Sequence, residues 1–151
     1  MAIFAFFRLP IMTNNGPVIY LEDDPDDQDL FKEVMEGLGI VNELKVFANG
    51  VSVLDYLRTT TDQPFIIFTD VNVPIMDGLQ LRTEICQDDF LKKKSIPYIF
   101  LSTNASKNAV EKAYDLQVQG FFQKPSSFEA LQQMLGRIIN YWKVCLHPNN
   151  V

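Results

Sequence analysis

The chain has 151 residues, of which 47% are hydrophobic, 12% aromatic and 21% charged. This length and composition suit one domain that buries its own core, which excludes the disordered, collagen-like and low-complexity classes. The formal net charge of −6 argues against non-specific binding to nucleic acid or an anionic membrane, because both are bound by basic patches. Cations and basic partners are therefore expected.

Both ends of the chain are predicted to lie outside the domain. We expect an N-terminal extension over residues 1–15, the domain over 16–146 and a C-terminal tail over 147–151. The apolar start is too short to span a bilayer and has no basic leading segment, which argues against a membrane anchor or signal peptide. Two distant cysteines, Cys86 and Cys145, indicate free thiols and a cytoplasmic location.

The first half of the chain predicts two β-α units. An apolar run at 18–21 is the first strand candidate. The helix after it has Asp24 as its N-cap and Pro25 as its first helical residue. An alternating apolar run at 44–47 predicts the second strand, and a second helix starts near Gly50.

The second half continues this alternation. Apolar runs at 65–68 and 98–101 predict two strands buried on both faces, and the short run at 121–122 predicts an edge strand. Three further helices are predicted: one after Gly78, one containing Val110, Ala113 and Tyr114, and one from about Ser127 to Cys145.

Five strands that alternate with five helices predict an α/β fold. Right-handed crossovers place the strands in one parallel sheet with helices on both faces. A chain of this length suits the flavodoxin-like five-stranded order 2-1-3-4-5. In such a sheet the binding site forms at the carboxyl ends of the strands, where this chain has polar residues after four strands: Glu22, Asp23, Asp24, Asp70, Ser102 and Lys124.

Three of these residues, Glu22, Asp23 and Asp70, predict a divalent cation site. Adjacent carboxylates repel one another unless a cation neutralises them, and oxygen ligands without histidine or thiolate favour Mg²⁺. The acids that follow are interpreted differently, as residues that complement the positive end of the first helix: Asp26, Asp27 and Asp29.

Lys124 is the predicted counterpart cation, because the strand order brings it beside Asp70 despite their distance in sequence. It follows a buried strand and precedes Pro125, and we expect a cis peptide bond between the two that directs the side chain back. Ser102 adds a hydroxyl at the same edge of the sheet.

These residues, in this order and spacing, resemble the receiver domains of two-component response regulators over residues 17 to about 143. The resemblance implies a CheY-like fold in which Asp70 accepts a phosphoryl group. It also implies a Mg²⁺ site with Asp23 as the direct carboxylate ligand, Glu22 acting mostly through water, and the backbone carbonyl of Asn72 completing the protein ligands.

The same resemblance assigns three further roles. Lys124 pairs with the phosphoryl oxygens, Ser102 is the switch hydroxyl and Phe121 is the switch aromatic. Two departures from the common pattern stand out, because Glu22 replaces the more frequent aspartate and Phe121 lacks the hydroxyl of a tyrosine. A switch that relies on a tyrosine hydrogen bond is therefore excluded.

The resemblance further implies a phosphoprotein of a phosphorelay rather than a classical enzyme, with self-catalysed phosphorylation and dephosphorylation. The expected partners are a histidine kinase or histidine phosphotransfer protein and a downstream protein target, without nucleic acid or membrane. The ending around Trp142 is similar to stand-alone receivers that partner phytochrome-type histidine kinases. Three apolar residues of the last helix lie outside the stripe that faces the core: Met134, Tyr141 and Val144. They form either part of a broad buried face or a surface for a partner or a homodimer.

Two other functions remain open. A Mg²⁺-dependent phosphatase of the haloacid dehalogenase type also uses an aspartyl nucleophile, but that nucleophile follows the first strand and a second acid lies two residues on. Here Asp70 follows the third strand and Asn72 lies two residues on. A receiver-shaped binding module that is never phosphorylated is disfavoured by the intact set of acids.

Overall fold

The computed structural model describes residues 13–148. Residues 1–12 and 149–151, which belong to the predicted extension and tail, lie outside the described residues. No helix within 13–148 has the length and apolar character needed to cross a bilayer. In chain order the elements are β1 (Val18–Leu21), α1 (Pro25–Gly37), β2 (Leu44–Phe47), α2 (Gly50–Thr59), β3 (Ile66–Thr69), α3 (Gly78–Gln87), α4 (Asp89–Lys93), β4 (Tyr98–Ser102), α5 (Lys107–Asp115), β5 (Gly120–Gln123) and α6 (Phe128–Val144).

The strands form one sheet in the order β2-β1-β3-β4-β5, and every neighbouring pair is parallel. Successive strand residues face opposite sides, so that Tyr20 packs with α1 and α6 whereas Ile19 packs with α2, α3 and α5. Every residue of β1, β3 and β4 is buried, whereas β2 is half-buried throughout. The predicted fold class, a parallel five-stranded sheet with helices on both faces, is confirmed.

Each α-helix of the described chain begins directly after a residue whose side chain can cap it. Asp24 caps α1 by accepting a hydrogen bond from the Asp26 amide at 2.8 Å, and Asp77 forms a capping box with Gln80 at the start of α3. The short helix α4 was not predicted, so residues 13–148 hold six α-helices rather than five. Asp88 both ends α3 and caps α4, and a helix of five residues is too short to show a helical period.

The start of the described chain is bound to the end of α6. The Lys143 ammonium donates to the Asn14 carbonyl at 2.8 Å and to Asn42 Oδ1 at 2.7 Å. Asn42 in turn donates from Nδ2 to the carbonyls of Asn14 and Gly16. These bonds fix the chain where it enters β1. Cys86 and Cys145 are free and partly exposed, which confirms the prediction of free thiols.

The amino end of α3 lies directly against the carboxyl end of β3. A Cβ atom placed on Gly78 would stand 2.5 Å from the Asp70 carbonyl oxygen, 2.6 Å from Thr69 Oγ1 and 2.7 Å from a ring carbon of Phe100. The Tyr98 hydroxyl also donates to the Gly78 carbonyl at 2.5 Å. Only glycine permits this approach, and the approach holds the backbone at Asp70 in place.

We expect Gly78→Ala to lower the free energy of unfolding by about 1–3 kcal/mol, because the added methyl group meets backbone and ring atoms that have no room to move. Gly136→Ala in α6 is the control. Its Cβ would meet only the terminal Cδ2 of Leu38, at 3.3 Å. Removing a glycine from a helix interior raises stability by up to about 1 kcal/mol. Urea unfolding measures both, and a Gly78→Ala variant as stable as the wild type would contradict this packing.

Candidate functional site

Asp70 stands at the end of β3 and is buried, with 8% of the residue exposed. Its amide donates to the Leu21 carbonyl at 3.1 Å, which continues the pairing of β3 with β1. Oδ1 accepts two hydrogen bonds, from the Ser102 hydroxyl at 2.9 Å and from the Asn72 amide at 3.2 Å. Oδ2 faces the Lys124 ammonium at 3.8 Å. The two carboxylate oxygens therefore have different surroundings.

Lys124 is the cation of this site, and its side chain is only 6% exposed. The ammonium lies 2.9 Å from Glu22 Oε1 and 3.2 Å from Asp27 Oδ2, both closer than Asp70. The Lys124 amide donates to the Ser102 carbonyl at 2.8 Å, which turns the chain toward the site. The structure thus brings Lys124 to Asp70 and Ser102, as expected from the strand order.

The expected cis bond between Lys124 and Pro125 is wrong, because the peptide bond is trans. The hydrogen bond from the Lys124 amide to the Ser102 carbonyl already holds this residue against β4. No reversal of the chain at the proline is needed to direct the side chain into the site.

Glu22 is the most enclosed acid of the site, with 2% of the residue exposed. Besides Lys124, it accepts hydrogen bonds from the Tyr20 hydroxyl at 3.4 Å and from the Asp24 amide at 3.1 Å. A buried carboxylate needs such partners, because desolvation of an unpaired charge is costly. Glu22 is therefore a fixed anion that holds the ammonium in place.

Burial and the neighbouring charges together set the pKa values at this site. It raises the pKa of Glu22, and the Lys124 ammonium and the Asp24 amide only partly offset that rise. Burial by itself would lower the pKa of Lys124, but Tyr20 and the carboxylates of Glu22 and Asp27 outweigh it, so the net shift is upward. Burial also raises the pKa of the Tyr20 hydroxyl. At neutral pH Lys124 is a cation and Tyr20 a neutral donor.

The expected meeting of three carboxylates at one cation is not what the structure shows. Within residues 13–148 no group of three or more His, Cys, Asp or Glu side chains is arranged to hold a metal ion. The reason is that the Glu22 carboxylate is directed at Lys124 and Tyr20. Asp23 is exposed in the loop after β1, and no hydrogen bond or ion pair joins its side chain to the rest of the described chain.

The remaining donors still suit a hard cation. The carboxylates of Asp23 and Asp70 and the carbonyl of Asn72 are all oxygen donors, in loops at the carboxyl ends of the adjacent strands β1 and β3. Mg²⁺ typically takes one or two protein carboxylates and completes its shell with water and phosphate oxygens. The chemistry of this donor set fits Mg²⁺ without a third carboxylate.

Asp27 is the site residue that the sequence analysis missed. The sequence places it, with Asp26 and Asp29, at the positive end of α1, yet its carboxylate forms an ion pair with Lys124. Asp26 and Asp29 are exposed. No sequence signal separates these three acids, because only the rotation of α1 against the sheet decides which of them faces the site.

Phe121 lies on β5, which is two strands away from β3 and Asp70, with β4 between them. Its ring stacks on Phe100 with centroids 5.3 Å apart and an interplanar angle of 24°, and the two residues are register partners between β4 and β5. Phe100 in turn meets Tyr98 edge to face. The proposed aromatic residue is therefore half-buried and packed behind the strand that carries Ser102.

The outer part of α6 remains accessible. The stripe expected to face the core runs along Phe128, Leu131, Leu135, Ile138 and Trp142; its three middle residues are buried, Trp142 is half-buried and Phe128 is 36% exposed. Tyr141 is 61% and Val144 is 80% exposed. Between β5 and α6 there is a groove of about 750 Å³. A homodimer through this surface stays a prediction.

We expect Lys124→Met to lower the free energy of unfolding by about 3 kcal/mol, because it leaves the buried Glu22 carboxylate without its counter-charge. Adding Glu22→Gln should restore part of that loss, since the unpaired charge is then removed. Lys45→Met is the control. Its partner Glu43 is 65% exposed, and such pairs contribute at most about 1 kcal/mol. Equal losses at both lysines in urea unfolding would refute the structural role of the buried pair.

Comparison with known proteins agrees with this geometry. The profile of the response regulator receiver domain matches residues 18–136. The chain is 28% identical over 129 residues to the probable methanogenesis regulatory protein FilR2 of Methanothrix harundinacea, covering 83% of this chain and 82% of that protein. It is likewise 28% identical over 130 residues to the response regulator Rcp1 of Synechocystis, covering 83% and 87%.

Solved structures give the same result. The phosphorylated cyanobacterial phytochrome response regulator RcpA has a TM-score of 0.77 at 26% identity, covering 87% of this chain and 96% of that one. The Mn²⁺-bound form of Rcp1 has a TM-score of 0.73 at 25% identity, with the same coverage. The predicted similarity to receivers of phytochrome systems is confirmed. The chain belongs to the response regulator receiver domain family.

Proposed function

We propose that this protein accepts a phosphoryl group on Asp70 from a histidine kinase or a histidine phosphotransfer protein, with Mg²⁺, and signals through phosphorylation-dependent contacts with a downstream protein. One observation carries the proposal. The buried Asp70 carboxylate faces a buried ammonium, from Lys124, and a buried hydroxyl, from Ser102, at the same time. Catalysis of phosphoryl transfer consists mainly of such positioning and charge neutralisation.

The hydrogen bonds of Asp70 indicate which oxygen attacks. Oδ1 is engaged by Ser102 and the Asn72 amide, whereas Oδ2 lies beyond hydrogen-bond distance of Lys124, at 3.8 Å. Oδ2 is therefore the nucleophile of the proposed reaction. It forms the new O–P bond as the P–N bond of phosphohistidine or the P–O bond of acetyl phosphate breaks, and the departing imidazole or carboxylate keeps the electron pair.

Asp23, Asp70 and the carbonyl of Asn72 would hold the Mg²⁺ ion, with Glu22 acting through water. When bound, the ion neutralises charge on the phosphoryl oxygens and helps to orient the donor. Two observations support this assignment. The three donors are all oxygen, and a relative at 25% identity, Rcp1, has been solved with Mn²⁺ bound.

The chain's own residues account for a response to phosphorylation. A phosphoryl group adds charge and new acceptor oxygens on Asp70. Lys124 supplies the nearest cation and Ser102 the nearest hydroxyl, so both are expected to move toward those oxygens. Movement of Ser102, the last residue of β4, changes the packing available to Phe121 on the neighbouring strand. The altered β5 and α6 surface would then be what a downstream protein contacts.

With Mg²⁺ and acetyl phosphate, we expect the wild type to gain a single acid-stable, base-labile phosphoryl group. Asp70→Asn should gain none, because the attacking carboxylate oxygen is lost. Intact-mass measurement before and after base treatment gives the result. Asp29→Asn, which removes an exposed acid of α1 remote from these contacts, is the matched control and should behave as the wild type does.

Four results would contradict the proposal. Continued turnover of many phosphomonoesters by the purified wild type would favour the phosphatase alternative. An unmodified wild type would favour a binding module that is never phosphorylated. Modification of Asp70→Asn to the wild-type extent would place the phosphoryl group elsewhere. Uptake that persists after chelation would contradict the role of Mg²⁺.

Ser102→Ala should still take up the phosphoryl group, but the chemical-shift change that phosphorylation causes at the Phe121 ring should be largely lost. The hydroxyl is the link between the phosphoryl oxygens and β4. The variant should also lose about 1–3 kcal/mol of stability, because Asp70 loses one hydrogen bond. Thr103→Ala, which removes the exposed neighbouring hydroxyl, is the control. An undiminished Phe121 response in Ser102→Ala would rule out this route.

A further inference from the structure

The Lys124 ammonium lies nearer to α1 than to the proposed phosphoacceptor. Its distances are 2.9 Å to Glu22 Oε1, 3.2 Å to Asp27 Oδ2 and 3.8 Å to Asp70 Oδ2. The first two are within hydrogen-bond distance and the third is not. The unphosphorylated protein thus holds the cation on Glu22, which follows β1, and on Asp27 of α1. We expect the ammonium to shift toward a phosphoryl group on Asp70.

Capping of α1 does not explain the position of Asp27. The N-cap is Asp24, whose side chain accepts from the Asp26 amide. Within residues 13–148 the Asp27 carboxylate has Lys124 as its one hydrogen-bond or ion-pair partner. Asp26, its neighbour in the same helical turn, is exposed and its side chain makes no such contact in the described chain. Among the described residues, the Asp27 side chain therefore interacts with Lys124 and not with the end of its own helix.

Burial decides which of the two contacts Lys124 gives up. The Glu22 side chain is 3% exposed, so solvation would compensate little for loss of the ammonium there. The Asp27 side chain is 34% exposed, so water can solvate its carboxylate once the ammonium leaves. A shift of Lys124 toward Asp70 is therefore expected to lengthen the contact with Asp27 and to keep the contact with Glu22.

We propose that Asp27 is a positioning residue that retains Lys124 on the α1 side of the site and opposes its transfer to phosphorylated Asp70. This inference rests on the proposed function, because it concerns the same lysine and the same phosphoryl group. Asp27 then sets the equilibrium between the unphosphorylated and phosphorylated arrangements. The first turn of α1 also loses a contact whenever the phosphoryl group is present.

The test compares the wild type with Asp27→Asn, Asp27→Glu and Asp26→Asn. Each asparagine variant removes one negative charge from the first turn of α1, but only Asp27→Asn removes a partner of Lys124. Asp27→Glu keeps the charge on a longer side chain and is the conservative rescue. The probe is beryllofluoride with Mg²⁺, a phosphoryl analogue, titrated and followed by fluorine NMR. A second readout is the proton–nitrogen correlation of the Lys124 ammonium in the protein without beryllofluoride.

We expect Asp27→Asn to lower the half-saturating concentration of beryllofluoride by about threefold, the size of effect typical of a partly exposed ion pair. Asp26→Asn and Asp27→Glu should stay near the wild-type value. The Lys124 ammonium signal should shift and broaden in Asp27→Asn alone, which a merely structural change at the helix start would not produce.

Equal half-saturation in Asp27→Asn and Asp26→Asn would overturn the inference, and so would weaker binding in Asp27→Asn or an unchanged ammonium signal. Failure of the proposed function looks different. In that case the wild type and all three variants would bind no beryllofluoride, and both proposals would fall together. Circular dichroism confirms that each variant is folded before it is compared.

Discussion

A single ammonium group holds together the carboxyl ends of the strands in this sheet. Glu22 and Asp70 are both buried, and two buried carboxylates in one site would repel each other without Lys124 between them. Lys124 follows β5, whereas Glu22 follows β1, three strand spacings of about 4.8 Å away. The long side chain and the hydrogen bond from its amide to Ser102 together allow it to reach across.

The placement of this lysine links the stability of the domain to its proposed chemistry. The ammonium that neutralises Glu22 in the resting protein is the same one that would meet a phosphoryl group on Asp70. A site arranged in this way has part of its negative charge neutralised before the reaction and has a cation ready for it. The resting site still has more negative than positive side chains, which is the electrostatic condition for attracting a divalent cation.

The fold was predictable because its signals are local and repeated. Alternating apolar runs and helical periods gave five strands, and parallel crossovers restrict their order to few arrangements. Helix α4 escaped prediction because one turn of helix has no measurable period. In the site, Asp70, Ser102 and Lys124 were found because each directly follows a strand, and strand ends meet at a place that the topology defines.

Other details of the site depend on how α1 is rotated against the sheet and on where side chains point, and local sequence patterns do not reveal either. Asp26 and Asp27 are the same residue type in the same helical turn, and only the packing of α1 on the sheet separates them. Glu22 was expected beside a cation and does lie beside one, but that cation is Lys124. The peptide bond before Pro125 is trans, so a cis bond does not direct the Lys124 side chain into the site. The hydrogen bond from the Lys124 amide to the Ser102 carbonyl does so instead.

The stacked rings of Phe121 and Phe100 determine the conditions under which the proposed change in packing at Phe121 would operate. Neither ring carries a polar atom, so this contact between β4 and β5 depends only on the shape and packing of the two rings. Such a contact offers nothing for dissolved ions to screen and no proton to gain or lose. Interactions among the charged groups at the carboxyl ends of the strands depend on salt and pH, whereas the contact between these two rings depends little on either.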